Sequence, residues 1–349
     1  PGRVKDVRHR FAPLVCLALV VACASVESGS FPTPDREYAG FSPAEAATLL
    51  SLEQIDGHPL YTMNQYAGYD YENYEGPSAA GEDISPNRDR DAWACSLFAA
   101  LADPESRLFG RNFDWDYSPS LLLFSDPPDG YASAALVDIA YLGFDGSADL
   151  TDKPLDEVAN LLDAHHIPFD GMNEAGLIIG MAAVAPGNVP VDPAKPTIGS
   201  LGVIRLMLDQ ASTVGEAIDL MAGVNIDFVG GPPLHYLMAD RNGDSAVVEF
   251  YQGETYVFRG DAGWNLATNF LLAGVEAPAG QSRRYDTVWS QLESTGGVLD
   301  SEGAMSLLQS VARSDTQWSV VYSSTSGQIR VVMDRNYDRV YEFMLEPAG

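Results

Sequence analysis

Apolar and polar positions are most telling over residues 93–115, where two apolar runs flank the turn Asp103-Pro104-Glu105-Ser106. Proline and its polar neighbours interrupt both helix and strand, so the pattern predicts a β-hairpin. Centring that turn between Pro104 and Glu105 sets Cys95 opposite Asp114. Upstream, Ser42-Pro43-Ala44-Glu45 supplies a capping serine, a proline at the first helical position and a glutamate three residues after the cap, which predicts a short helix through Leu50. Downstream, a strand is expected over 134–144 and a short helix over 155–164. A second hairpin joins 167–172 to 177–184 about Asn173-Glu174-Ala175-Gly176. Apolar spacing of helical period marks 200–210 and 213–222, the second opened by the capping box Thr213-Val214-Gly215-Glu216. A third hairpin joins 234–238 to 245–251 through Asn242-Gly243, and strands continue over 255–258 and 264–268. Helices over 283–292 and 303–312, then strands over 320–322, 328–333 and 340–344, close the chain. Antiparallel hairpins alternating with paired helices predict an α+β fold, two sheets packed between helices.

The N-terminal residues add an address. Arg3, Lys5, Arg8 and Arg10 precede an almost wholly apolar run over 11–22 that ends at Val20-Val21-Ala22-Cys23. A basic head and an apolar stretch of about a dozen residues is short for a membrane span and has the form of an export signal. The ending resembles a bacterial lipobox, in which Cys23 is lipidated; ordinary cleavage after Ala24 is the alternative. The expected division is a signal over 1–24, a tether and propeptide-like segment over 25–94, and the main domain over 95–349. The Gly-, Pro- and Asp-rich stretch 76–91 marks the boundary. The expected location is the bacterial cell envelope, as a lipoprotein held to the membrane by its anchor alone, or else the periplasm or the medium.

Charge narrows the partners. The chain carries 49 acidic against 20 basic residues, a net charge of -29. No basic stripe is present, so nucleic acid is excluded as a partner. Such acidity suits a saline habitat, where salt screens self-repulsion.

Export also changes the cysteine count. Of three cysteines, Cys16 leaves with the signal and Cys23 is lipidated or removed, so Cys95 remains as a lone thiol with no disulfide partner. It is either a small buried hydrophobe or a reactive group. A nucleophilic cysteine needs a base. His9 is lost with the signal, His58 lies upstream, His165-His166 ends a helix, and His235 alternates as a strand residue at the core edge. No local motif ties any of them to Cys95. The serine-hydrolase elbow and glycine-rich phosphate loops are absent, and the acids of 76–91 lack calcium-loop spacing, so neither cofactor nor metal is expected. Cutting the Ala94–Cys95 bond would supply another base, because a freed α-amino group has a pKa of about 8. The hairpin sets Asp114 near that amine. Arg111, three residues away, faces the other side of an ideal strand, so the two serve one site only across a bulge or twist.

At this point the residues carry a resemblance. Cys95-Ser96-Leu97-Phe98, followed by Leu108-Phe109-Gly110-Arg111-Asn112-Phe113-Asp114, resembles the start of the linear amide C–N hydrolases, the choloylglycine hydrolase family of N-terminal nucleophile enzymes. Penicillin V acylase and acid ceramidase are relatives. Residues 170–177 (Asp170-Gly171-Met172-Asn173-Glu174-Ala175-Gly176-Leu177) are similar to its Asn-Glu-x-Gly hairpin, and His235 through Val247-Val248-Glu249 to its aspartate-glycine hairpin. Thr268-Asn269 and Ser282-Arg283-Arg284 are similar to its Thr-Asn and Arg pair.

The resemblance implies a four-layer αββα N-terminal nucleophile sandwich. It implies self-cleavage between Ala94 and Cys95, with Cys95 as nucleophile and, through its amine, as base. Arg111 would sit beside the thiol, Asp114 would bind the amine, Asn269 would donate to the oxyanion and Arg283 would complete the network. The implied substrate is a small N-acyl amide, opened through an acyl-thioester; a related acyltransferase and a non-catalytic lipid-anchored binding protein are the alternatives. One departure stands out: where bile salt hydrolases carry a second Asn, ten residues after Asn173, this chain has Ala183.

Overall fold

A computed structural model describes residues 32, 38–68, 94–185, 189–229 and 231–348. The signal, Cys23, the tether, the stretch 76–91 and Trp93 lie outside these. Two sheets make the centre of the fold. The larger is nine-stranded, in the order β1 (Glu53–Asp56), β2 (Leu60–Gln65), β5 (Ser120–Ser125), β6 (Ser133–Asp138), β7 (Asp170–Asn173), β8 (Ile178–Ala183), β11 (Leu234–Ala239), β12 (Ser245–Tyr251) and β13 (Glu254–Arg259). The smaller is six-stranded: β14 (Trp264–Ala267), β3 (Ala94–Ala100), β4 (Leu108–Asp114), β15 (Thr316–Ser323), β16 (Gln328–Met333) and β17 (Tyr341–Met344). A two-stranded parallel ribbon, β9 (Thr197–Gly199) with β10 (Asn225–Asp227), stands apart.

The layers follow from which faces are apolar. α2 (Gly202–Gln210) and α3 (Val214–Ala222) lie on the outer face of the nine-stranded sheet, and α4 (Arg283–Thr295) and α5 (Ser301–Val311) on that of the six-stranded sheet. Between the sheets, Leu97, Phe109, Ile178, Leu237, Trp318 and Tyr322 belong to one buried core. Phe98, Leu108 and Val321, on the alternate positions of the same strands, pack instead against Val288, Leu292 and Leu308 of the helices. Every strand of the smaller sheet's centre is thus buried on both faces, which makes the architecture a four-layer αββα sandwich.

Local signals behave as their chemistry dictates. Ser42 and Glu45 form the expected capping box on α1 (Pro43–Leu50), as do Thr213 and Glu216 on α3. Residues 155–164, expected as one helix, are two 3-10 segments, Leu155–Glu157 and Ala159–His166. β5 escapes sequence reading because Leu121, Leu122, Leu123 and Phe124 are all buried, so no alternation betrays the strand.

The upstream residues are part of this sandwich. β2 runs parallel to β5, and β1 caps it at the sheet edge. Leu49, Tyr61 and Met63 join Leu121, Leu123 and Val137 in a third apolar cluster. The expected division at residue 94 is therefore not a division of the packed structure: residues 43–65 complete the nine-stranded sheet.

Candidate active site

The hairpin β3–β4 is present with its register one residue from that expected. Ala94 pairs with Asp114 and Cys95 with Phe113. The loop 101–107 centres on Pro104 itself, fixed by the Leu101 N–H on Gly263 O at 2.8 Å and Ser106 Oγ on Leu299 O at 2.9 Å. In a strand such a slip exchanges faces. Cys95, Arg111 and Phe113 consequently share the face between the sheets, while Ser96, Asn112 and Asp114 share the face toward the helices. Asp114 does not lie opposite Cys95.

What unites them is the position of Cys95 at the start of β3, where its own backbone is within reach of groups from both faces. On the inner face the Arg111 guanidinium acts on the thiol through its charge, favouring the thiolate. Its guanidinium is wholly buried, donates to Phe169 O at 2.9 Å, pairs with Asp170, and stacks 5.0 Å over the Phe113 ring. Asp170 also accepts from Trp318 Nε1 at 3.3 Å and from the Tyr322 hydroxyl. A buried arginine tolerates such a place only with a satisfied counter-ion, and Asp170 supplies it. Burial pushes the Cys95 thiol up, Arg111 opposes this, Asp114 adds to it, and the Asp114 N–H and Arg284 oppose it.

On the outer face Asp114 is held by Thr316 Oγ1 at 2.5 Å, while its Oδ2 is buried, accepts no hydrogen bond, and lies 4.0 Å from Arg284 Nη1. Burial raises this carboxyl to about 7, against the opposing pull of Thr316 and Arg284. The irregularity anticipated between Arg111 and Asp114 lies in the neighbouring strand: β15 pairs Thr316 with Asp114 and Trp318 with Phe113, leaving Gln317 as the extra residue.

Past the end of β14 the chain turns and brings Asn269 against Cys95. Asn269 Oδ1 accepts from the Cys95 N–H at 2.5 Å and from Arg284 Nη2 at 3.0 Å, and Nδ2 donates to Ala183 O at 2.7 Å. Both partners of Oδ1 are donors only, which fixes the orientation of the amide. Asn269 therefore grips the Cys95 nitrogen through its oxygen, and one hydrogen of Nδ2 is already engaged. Ala183, where a second Asn was expected from the resemblance, contributes its carbonyl to that engagement.

The arginine in this network is Arg284, not Arg283. Arg284 donates to Cys95 O, to Ser96 Oγ at 2.9 Å and to Asn269. Arg283, the first residue of α4, is exposed. One helical step turns the side chain by about 100°. The signal was in the helix pattern: Arg284 lies four and eight residues before the buried Val288 and Leu292. Asp170 also went unread as a site residue, although it opens the hairpin motif quoted above. Asn173 in that motif is structural: its Nδ2 donates to Leu208 O at 2.9 Å and Ala211 O at 2.7 Å, tying β7 to the end of α2.

The other histidines lie elsewhere. His58 meets the Tyr117 ring edge-on at 5.2 Å, the tilted His165 and His166 rings lie 3.8 Å apart, and His235 pairs with Glu249. Among the described residues no cluster of His, Cys, Asp and Glu is arranged to hold a metal, and no helix is long and apolar enough to cross a membrane.

Comparison with known proteins agrees with this frame. Residues 145–269 match the family of linear amide C-N hydrolases, choloylglycine hydrolase family, a region that ends on Asn269 and begins after Cys95. Among solved structures, a mutant of the conjugated bile acid hydrolase from Clostridium perfringens superposes with a TM-score of 0.53 at 17% identity, covering 73% of this chain and 93% of that one. Penicillin V acylase from Agrobacterium tumefaciens superposes with a TM-score of 0.50 at 16% identity, covering 72% and 86%. At these identities the likeness is one of fold.

Proposed function

We propose that this chain, whose residues 145–269 carry the choloylglycine hydrolase family match on an N-terminal nucleophile fold, opens its own Ala94–Cys95 bond and then hydrolyses linear N-acyl amides with Cys95. The family match over residues 145–269 supports amide hydrolysis. The finer reading is carried by one observation: Asn269 and Arg284, bonded to each other, grip the N–H and C=O of Cys95, which immobilises the backbone beside the bond to be cut.

The chemistry follows from the groups at hand. In the uncleaved chain the buried thiol keeps its proton. Sγ adds to the Ala94 carbonyl, the C–N bond breaks with the nitrogen taking the proton, and water hydrolyses the resulting thioester. Residue 94 becomes a carboxylate and Cys95 gains a free amine. Asn269 Oδ1, already on that nitrogen, and Asp114 Oδ2, which accepts no hydrogen bond, are suited to hold the amine. The amine then takes the Sγ proton as Sγ attacks the substrate carbonyl. The second hydrogen of Asn269 Nδ2 is a donor for the oxyanion, an interaction worth about 3 kcal/mol or more in comparable sites. The amine returns its proton to the departing amine, and water, deprotonated by the same base, releases the acid.

Export as a lipoprotein of the cell envelope, through Cys23, completes the proposal. It rests on the basic and apolar pattern of residues 1–23. Intact mass and N-terminal sequencing of purified protein, followed by assay of 4-nitroanilides of short and long fatty acids, test the catalytic reading. A new terminus at Cys95 and nitroaniline release, both lost in Cys95→Ala, are expected. A folded wild-type chain whose 94–95 bond stays whole would overturn the mechanism.

A further inference from the structure

His235, which no motif ties to Cys95, and Glu249 form a buried ionisable pair that the proposed chemistry leaves unused. Gly180 shows which way they face: a Cβ there would meet Leu97 and Phe109 of the other sheet, so the side chains on its alternation point between the sheets. His235 pairs with Ala182, two residues on from Gly180, and shares that face. Glu249 follows on β12 in the same register, one step beyond the Tyr236–Val248 pair. Both side chains are 1% exposed or less.

A carboxylate withdrawn from water costs several kcal/mol unless donors surround it. Glu249 has three: His235 Nδ1 at 2.9 Å, the Leu272 N–H at 2.9 Å and the Ala273 N–H at 3.0 Å. The two backbone donors belong to the turn that begins three residues after Asn269. β14, laddered to β3, fixes the segment before Asn269; Glu249 fixes the segment after it. The same stretch reaches α4 through Phe270, whose ring meets Tyr285 edge-on at 5.1 Å, next in sequence to Arg284.

We propose that the buried His235–Glu249 pair is the positioning device for Asn269, holding its oxygen on the Cys95 nitrogen by clamping the backbone of residues 272 and 273. This rests on the reading that Cys95 and Asn269 open the 94–95 bond. Glu249 accepts both N–H groups, and His235 donates to Glu249 so that the carboxylate stays oriented. A displacement of Asn269 by about 1 Å is enough to slow such a reaction about a hundredfold.

The test uses the full chain made by cell-free synthesis, with the half-time of 94–95 cleavage read by mass spectrometry and amide exchange read at Leu272 and Ala273. Leu272 and Ala273 donate to different oxygens of Glu249, so Glu249→Gln keeps the volume but turns its NH2 toward one of the two N–H groups; we expect cleavage at least about tenfold slower and faster exchange at that amide. His235→Leu should do the same. His235→Asn, which restores an N–H near the place of Nδ1, should return cleavage to within about threefold of wild type. Loosened amides with cleavage at the wild-type rate would reduce the pair to a structural clamp and overturn the proposal. So would His235→Asn behaving like His235→Leu. If Glu249→Gln does not fold, the two His235 variants carry the same comparison. Asn269→Ala separates the two readings: cleavage at the wild-type rate in that variant refutes the role given to Asn269, whatever Glu249 does.

Discussion

Asp114 carries a testable pH signature. Its carboxyl titrates at about 7 in the folded chain against 3.8 for the free side chain, with burial as the main cause. Between those values the folded state binds more protons than the unfolded one, so the contribution to stability is complete below pH 4 and is lost as pH rises through about 7. The gap amounts to at most ~4 kcal/mol. Uncleaved Cys95→Ala protein should therefore lose urea resistance between pH 4 and 7, and Asp114→Asn should flatten part of that slope. Asp138, also buried and raised to about 7, supplies a residual slope of the same sign. An unchanged slope in Asp114→Asn would disprove the assignment. The two arginines of α4 make a cleaner pair. Arg284→Ala removes donors from Cys95 O, Ser96 and Asn269 and should slow self-cleavage at least about tenfold. Arg283→Ala, at an exposed position, should leave the rate within about twofold. The grouping of Cys95, Arg111, Asp114 and Asn269 was legible because motif order brings them out. Arg284 and Asp170 were harder, because the first depends on a helical angle and the second acts by neutralising Arg111 from another strand.

At the scale of elements, short signals with a chemical cause were readable and register was not. The capping boxes at Ser42 and Thr213 depend on four residues each, and both formed. The β3–β4 register depends on where the loop 101–107 centres, which tertiary bonds to Gly263 and Leu299 decide from far along the chain. Strands β1 and β2 lie in the stretch 25–94, which the sequence marks as tether and propeptide-like because the polar loop 76–91 follows them. They pack into the main sheet. Leu60, Tyr61 and Met63 are completely buried, and Tyr341 and Arg339 of the C-terminal region both reach Asp56. Losing β2 would uncover both an edge of β5 and the cluster around Leu121 and Leu123, at about 1.5–3 kcal/mol for each large side chain exposed. After cleavage at 94–95 the upstream piece should hence stay in place. Native gel filtration should give one peak containing both fragments, which separate only in denaturant. A peak of residues 95–349 alone, still active, would show that β2 is dispensable.

For the whole molecule the governing quantity is charge. Arg111 pairs with Asp170 and Arg205 with Asp209 inside the sandwich, so these cations cancel buried acids and do nothing for the exterior. Most of the net charge of -29 is left on the surface, where few ion pairs among the described residues oppose it. Self-repulsion of exposed charges acts over the Debye length, which shrinks from about 10 Å at 0.1 M salt to about 3 Å at 1 M. Folding draws like charges together, so the folded state gains more from screening than the expanded one. The melting temperature should rise by several degrees across that range, equally with sodium chloride and choline chloride, since screening depends on ionic strength and not on the cation. A rise with sodium alone would point to a specific ion site. A flat or falling curve would mean that the acidic surface carries no repulsive strain, and the inference of a saline habitat would fall with it.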